Sequence, residues 1–299
     1  MVSPDHFAYN PQTAHSNLFQ HQPKDEGKVT EQAVKEFNDM VKTLRDAGVN
    51  VEAVPSRTDI KTPDAVFPNN WFSTHMTSDG RSVLVIYPML TQNRKDEVRI
   101  DLIKEKLEEK NGEEVYKVLD LSFYAKQGKV LEGTGVLILD RINHVVFVST
   151  SPRTNIEVLF NFCKELNYRP IVFKSYDQNG KLIYHTNVMM SIGEDFAVIA
   201  TDCIKDDIER EQVLAELKKL GKNVIKITPD QVNNMCGNVL ELKTKDNNKV
   251  IVMSRTAYNH FTPEQRAELE KSGKIVPVDI NTIEEVGGGS ARCMLGEIF

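Results

Sequence analysis

Near the end of the chain Cys293 follows the run Gly287-Gly288-Gly289-Ser290-Ala291-Arg292, whose glycines read as a hinge that presents the thiol. A cysteine attacks an electrophilic carbon only as the thiolate, which needs a neighbouring base or cation. His185, in Tyr184-His185-Thr186-Asn187, could supply it, giving a proton to a leaving amine and later taking one from water. Glu132, followed by Gly133, could accept hydrogen bonds from substrate N–H groups, and Asn70, Asn187 and Asn238 offer both donors and acceptors. Each residue alone is a weak signal. A free cysteine commonly packs as a small hydrophobe, an isolated histidine is more often a hydrogen-bonded structural residue, and Asn70 beside Pro68 could simply cap a turn. What joins them is register. Five loops carry Pro68-Asn69-Asn70-Trp71, Leu131-Glu132-Gly133-Thr134-Gly135, Tyr184-His185-Thr186-Asn187, Met235-Cys236-Gly237-Asn238 and Gly289-Ser290-Ala291-Arg292-Cys293. In each, the key polar residue lies roughly 15 to 21 residues after its unit's strand begins, so in a pseudo-symmetric repeat all five converge on one end of the axis.

The elements that must position these loops repeat as well. A helix with Thr30 as N-cap, an apolar stripe at Val34, Phe37, Val41 and Leu44, and Gly48 at its end precedes a strand over 49–54. The unit recurs as a helix over about 94–110 before a strand over 114–118, and again as 154–167 before 170–173. It recurs twice more as 207–220 before 223–227, and as a helix opened by Pro263 before 274–278. Between units lie further apolar segments, at 83–86, 136–139 with 145–148, 188–191 with 196–200, and 239–242 with 250–253, most of them reading as hairpins. A period of roughly 50 to 65 residues suggests a repeat architecture. With no low-complexity linker, it predicts one closed domain over residues 1–299, its short sheet edges protected by radial repetition. Residues 1–27 are polar and irregular, and read either as a surface arm or as a segment folded over a site, with Asn10 and Asn17 as candidates for that closure.

Composition narrows the function. The 299 residues are 40% hydrophobic and carry a net charge of -6, which leaves no basic footprint for nucleic acid or an anionic membrane and favours a small-molecule ligand. Cys163, Cys203, Cys236 and Cys293 stand far apart with no clustered histidines, so no disulfide framework, metal or cofactor is expected. With no basic-then-apolar leader and no apolar run near the ~20 residues of a membrane span, a cytoplasmic location is expected. The sequence leaves room for a homo-oligomer. Glu132-Gly133-Thr134-Gly135 matches only half of a dinucleotide fingerprint, and the Gly287 run lacks the Lys-Ser/Thr of a phosphate loop.

These motifs, with Ser151-Pro152-Arg153-Thr154-Asn155 and the terminal Arg292-Cys293-Met294, resemble the guanidino-group-modifying (amidinotransferase and arginine deiminase) superfamily, most closely the citrulline-utilisation hydrolase type. The resemblance spans nearly the whole chain and implies a five-bladed pseudo-symmetric α/β propeller of ββαβ modules, the pentein fold. It also implies Cys293 as nucleophile, His185 as general acid and base, Glu132 as a ligand for substrate nitrogen, and Arg153 as the arginine that holds the substrate carboxylate.

Two departures from the family pattern bear on substrate. In relatives acting on arginine the positions of Asn70 and Asn187 are usually aspartates that embrace the guanidinium, and both are amides here. Losing one partner of a buried charge pair costs roughly 2 to 5 kcal/mol, so the amides should weaken selection for a cation, while a neutral ureido group suits them. Gly135 also stands where many relatives have an aspartate. The expectation is a cysteine-dependent hydrolase of a guanidino or ureido amino acid, with citrulline cleaved to ornithine, ammonia and carbon dioxide as the leading case. Arginine deiminase, dihydrolase or amidinotransferase chemistry is the enzymatic alternative. A binding protein on the same propeller is the non-enzymatic one.

Overall fold

The structure is a computed structural model that describes residues 1–112 and 115–299. Among the described residues twelve strands form four three-stranded sheets, each with the same internal plan. In the first, β1 (Phe72–Met76) pairs antiparallel with β2 (Ser82–Ile86), the helix Ile100–Asn111 crosses over, and β3 (Lys117–Asp120) returns parallel to β2. The second repeats this with β4 (Ile138–Asp140), β5 (Val145–Ser149), the helix Ile156–Leu166 and β6 (Arg169–Phe173). In the third the parts are β7 (Met190–Ile192), β8 (Phe196–Ile199), the helix Asp207–Lys219 and β9 (Asn223–Lys226). In the fourth they are β10 (Leu240–Lys243), β11 (Lys249–Ser254), the helix Pro263–Glu270 and β12 (Lys274–Val278). The central strand of each sheet is buried along nearly its whole length, because helices cover one face and neighbouring sheets the other.

The caps explain where the helices stop. Asn155 Oδ1 accepts from the backbone N–H groups of Glu157 and Val158, and Asn167, at φ 57°, turns the chain out at the other end. Thr262 and Gln265 form a capping box at the start of the helix that Pro263 opens. The helix Val29–Asp46 begins one residue before the expected cap. Thr30 lies inside it and its hydroxyl instead donates to the Phe7 carbonyl, tying the N-terminal segment down.

The structure departs from the sequence expectations elsewhere as well. The strand expected at 114–118 runs over Lys117–Asp120, with Glu114 outside the described residues. The helix expected at about 94–110 is two helices, Gln92–Lys95 and Ile100–Asn111, because Arg94 and Glu97 turn inward as a buried pair and the chain breaks after them. Residues 136–139 do not form one strand, since Gly133–Val136 is a helical turn. The expected strand at 49–54 is reduced to a parallel bridge between Val54 and Val2, its partner being the short stretch 1–3. This fifth sector is filled by the helix Val29–Asp46, whose Phe37, Met40, Val41 and Leu44 pack with Val250, Val252, Val276 and Val278 of the fourth sheet. Among the described residues no helix is long and apolar enough to cross a membrane.

Candidate active site

Short helical turns stand just before the first strand of three sheets: Pro68–Asn70 before β1, Gly133–Val136 before β4 and Thr186–Val188 before β7. Each presents its polar side chain at the same end of its sheet, as the register of the sequence requires. A fourth turn, Ala291–Met294, brings Cys293 to the same place. Close approach of the turns depends on glycine. A Cβ on Gly135 would lie 2.4 Å from Asn70 Nδ2 and 2.8 Å from His185 Nδ1, so no aspartate can stand there while Asn70 and His185 keep these positions.

One small cavity is lined by Cys293, His185, Asn70 and Arg153. Glu132 joins two of them: its Oε2 accepts from Arg153 Nη1 at 2.6 Å and meets His185 Nε2 at 2.8 Å. Its Oε1 accepts from the Leu90 backbone N–H at 3.1 Å. Asn187 and Asn238 both direct Nδ2 at the Cys293 sulfur, at 3.3 and 3.2 Å. The six residues singled out in the sequence, Cys293, His185, Glu132, Asn70, Asn187 and Arg153, are therefore brought together, and all are buried.

Electrostatics fix the protonation states. Burial alone would raise the Glu132 carboxyl, but the Arg153 charge, the His185 hydrogen bond and Arg94 outweigh it and hold the carboxyl well below the usual range. Burial lowers His185, with Glu132 opposing. An ionised Glu132 can only accept, so Nε2 of neutral His185 carries the proton and Nδ1 keeps its lone pair. The imidazole is thus arranged to take a proton at Nδ1 and return it.

Further site residues lie outside the five loops. Arg94 donates through Nη1 to Asn70 Oδ1 at 2.7 Å, through Nη2 to the Phe67 carbonyl at 2.8 Å, and pairs with Glu97. Asp64, raised by burial against the pull of Arg94, also lines the cavity. Nothing in an amphipathic charge pattern separates Arg94 from its exposed neighbours. Its signal is only the pairing with Glu97 three residues on.

Residues 10–20 close over the site. Ser16 Oγ accepts from Arg153 Nε at 3.2 Å and Nη2 at 2.5 Å. Asn17 Nδ2 donates to the Gly287 carbonyl, and Asn10 Nδ2 donates to Asp64 Oδ2. The arm is thus folded over the cavity rather than free on the surface, with Asn10 and Asn17 both in the closure. What remains inside is about 20 Å³, room for about one water and far too little for an amino acid. The glycine run, read from sequence as a hinge, is instead packed: Gly287 ends the helix Asn281–Gly287, Gly288 caps it at φ 64°, and Gly287 and Gly289 lie against the Phe67 ring.

A family model described as N,N dimethylarginine dimethylhydrolase, eukaryotic, matches residues 3–299. No curated protein matches the chain. Among solved structures, the apo form of ArgZ, an arginine dihydrolase from the ornithine-ammonia cycle in Cyanobacteria, is similar with a TM-score of 0.71 at 17% identity. The match covers 100% of this chain and 40% of that one, so the chain spans well under half of ArgZ. The N-terminal domain of ArgZ covalently bound to a reaction intermediate matches at 0.71 and 17%, covering 100% and 96% of the two chains. DDAH from Pseudomonas aeruginosa, complexed with citrulline, matches at 0.62 and 13%, covering 98% and 96%. At these identities the likeness is one of fold. The four sheets and the fifth sector make up the five-bladed α/β propeller of the guanidino-group-modifying proteins.

Proposed function

Because the chain belongs to the N,N dimethylarginine dimethylhydrolase family, we propose that it is a cysteine-dependent hydrolase of a ureido amino acid, with citrulline as substrate and ornithine, ammonia and carbon dioxide as products. It is an enzyme of the class that hydrolyses carbon–nitrogen bonds other than peptide bonds. In the proposed reaction the Cys293 thiol gives its proton to His185 Nδ1 as Sγ adds to the ureido carbon, and the terminal amino group leaves as ammonia with that proton. The product is an S-carbamoyl adduct that keeps the substrate's side-chain nitrogen. Water then gives a proton back to Nδ1, attacks the same carbon and expels the thiolate, and the released carbamate loses carbon dioxide. Glu132 holds the imidazole in the required tautomer, and Arg153 takes the substrate carboxylate once Ser16 withdraws.

The observation that carries the choice of a ureido group is the orientation of Asn70. Arg94 can only donate, so the atom it meets is Asn70 Oδ1 and the atom left over is Nδ2, which is buried without a partner. A fixed N–H donor suits a ureido carbonyl oxygen and opposes a guanidinium, which offers only donors. Asn187 Oδ1, also buried without a partner, supplies an acceptor for a ureido N–H. In this reading residues 1–299 are one catalytic unit with the arm as its cover. Four buried cysteines without a disulfide fit a reducing, cytoplasmic setting.

Incubation with citrulline, arginine, agmatine and dimethylarginine, with products identified by mass spectrometry, tests the proposal. Ornithine and ammonia from citrulline are expected, with little turnover of the cations. Citrulline as the sole product from arginine, or dimethylamine from dimethylarginine, would overturn the choice of substrate.

A further inference from the structure

Two thiols in the site region sit in opposite hydrogen-bonding surroundings. Cys236 lies against carbonyl oxygens, those of Asn234 at 3.8 Å and Ala257 at 3.5 Å, to which only an S–H can donate. Cys293 meets two amide N–H groups instead, from Asn187 and Asn238. Acceptors around sulfur hold the thiol, whereas donors favour the thiolate, because a hydrogen bond to an ionised group is roughly twice as strong as one to a neutral group.

The two amides differ in how firmly they are set. Asn187 Oδ1 has no partner, so no contact of that oxygen holds its amide plane. Asn238 is held on three sides: Oδ1 accepts from the Arg292 backbone N–H at 3.0 Å, while Nδ2 donates to the Asn187 carbonyl at 3.2 Å and to Cys293 Sγ at 3.2 Å. A backbone N–H can only donate, so the amide cannot be flipped and Nδ2 must face the sulfur. The chain is built to bring it there. A Cβ on Gly237 would lie 2.1 Å from the Val188 carbonyl oxygen, so only glycine lets the Met235–Asn238 loop lie against the turn that carries Asn187. Asn238 itself is 1% exposed.

We infer that Asn238 is a catalytic residue of the fourth blade, a fixed N–H donor that aims the Cys293 sulfur and stabilises its thiolate before attack and again when the adduct is released. The inference rests on Cys293 as nucleophile, but it is read on the sulfur itself, without turnover. If citrulline is not hydrolysed yet the thiol behaves as described, the substrate reading fails and this one stands.

Asn238→Asp keeps the shape and the acceptor for the Arg292 N–H while removing the donor to sulfur. Titrating the thiolate absorbance near 240 nm, with Cys293→Ser as blank, should show the Cys293 midpoint rising by about one unit or more in Asn238→Asp. The pH profile of iodoacetamide alkylation should move to higher pH by the same amount. A folded Asn238→Asp protein whose titration and alkylation profiles coincide with wild type would reduce Asn238 to a structural tie and overturn the inference. Should that variant not fold, the wild-type titration decides. Burial pushes Cys163, Cys203 and Cys236 up to about 12, 11 and 12. Cys293, with two donors on its sulfur, should therefore be alkylated at lower pH than those three, and alkylation only over their pH range would sink the assignment.

Discussion

At the scale of single residues the site is a set of polar atoms whose partners are mostly decided. Cys293→Ser should lower turnover by on the order of 10⁴-fold or more, since a weaker nucleophile replaces the thiolate. Its melting temperature should stay close to wild type, because the hydroxyl still accepts from the two amides. Normal turnover in that variant would end the covalent mechanism. Asn70→Asp addresses the substrate. A carboxylate there would pair with Arg94 and turn its other oxygen to the ligand, an acceptor where Nδ2 now stands. The ratio of kcat/KM for citrulline to that for arginine should fall roughly 10²-fold. An unchanged ratio would show that Asn70 does not read the substrate. Five of the site residues were legible in the sequence because they lie in loops of shared register, and Arg153 through the family resemblance. Arg94 and Asp64 were not, for they reach the cavity from the helix Gln92–Lys95 and from a turn just before the first loop, and only the folded path of residues 64–97 brings them to Asn70.

Among elements, the helices were the most readable part, since apolar stripes and caps are local. The helix Ile156–Leu166 lies within the stretch expected from its sequence, and β12 matches its expected span at both ends. The glycine run was misread because its role is not local: the Phe67 ring, far away in sequence, occupies the space that side chains would need. A Cβ on Gly289 would meet that ring at 2.7 Å. Gly289→Ala should therefore destabilise by about 1 to 3 kcal/mol through overpacking. Urea unfolding measures this, and a neutral result would show that the loop can yield there as a hinge would. On the proposed function the arm over residues 10–20 has to open, because the closed cavity of about 20 Å³ is too small for an amino acid. Ser16→Ala removes both Arg153 hydrogen bonds, so amide exchange at Thr13, Asn17 and Gln20 should speed up, while exchange in β5 and β8 stays as in wild type. Equal exchange at the arm in both proteins would mean that Ser16 does not hold it shut.

Across the whole molecule, four sheets repeat and the fifth sector does not, which the sequence concealed because residues 49–54 read as a strand while lacking a ladder partner. A polar network on the far side of the ring joins the first two sheets to the C-terminal segment. Arg141 donates to the Thr74 carbonyl at 3.0 Å and meets His75 Nδ1 at 3.3 Å. Glu297 pairs with Arg141 at 3.5 Å and with Arg292, the neighbour of Cys293, at 3.1 Å. Arg141 can only donate, so His75 Nδ1 accepts and the ring is neutral, with Nε2–H given to Ser73 Oγ. Burial first, then the charges of Arg141 and His144, hold His75 well below its ordinary value. The unfolded chain takes up a proton there below about pH 6.5 while the folded chain does not, so the stability due to neutral His75 is present above that pH and is lost as pH falls. Burial raises Asp64 and Glu284, which act in the opposite sense, so the wild-type curve alone does not isolate the histidine. The difference between wild type and His75→Gln does, because the other groups cancel. Urea unfolding should find His75→Gln less stable at pH 8, with the gap narrowing by about 1 to 2 kcal/mol at pH 5. A gap that stays constant would mean that His75 titrates in the fold as it does in the unfolded chain, and that this network does not hold it neutral.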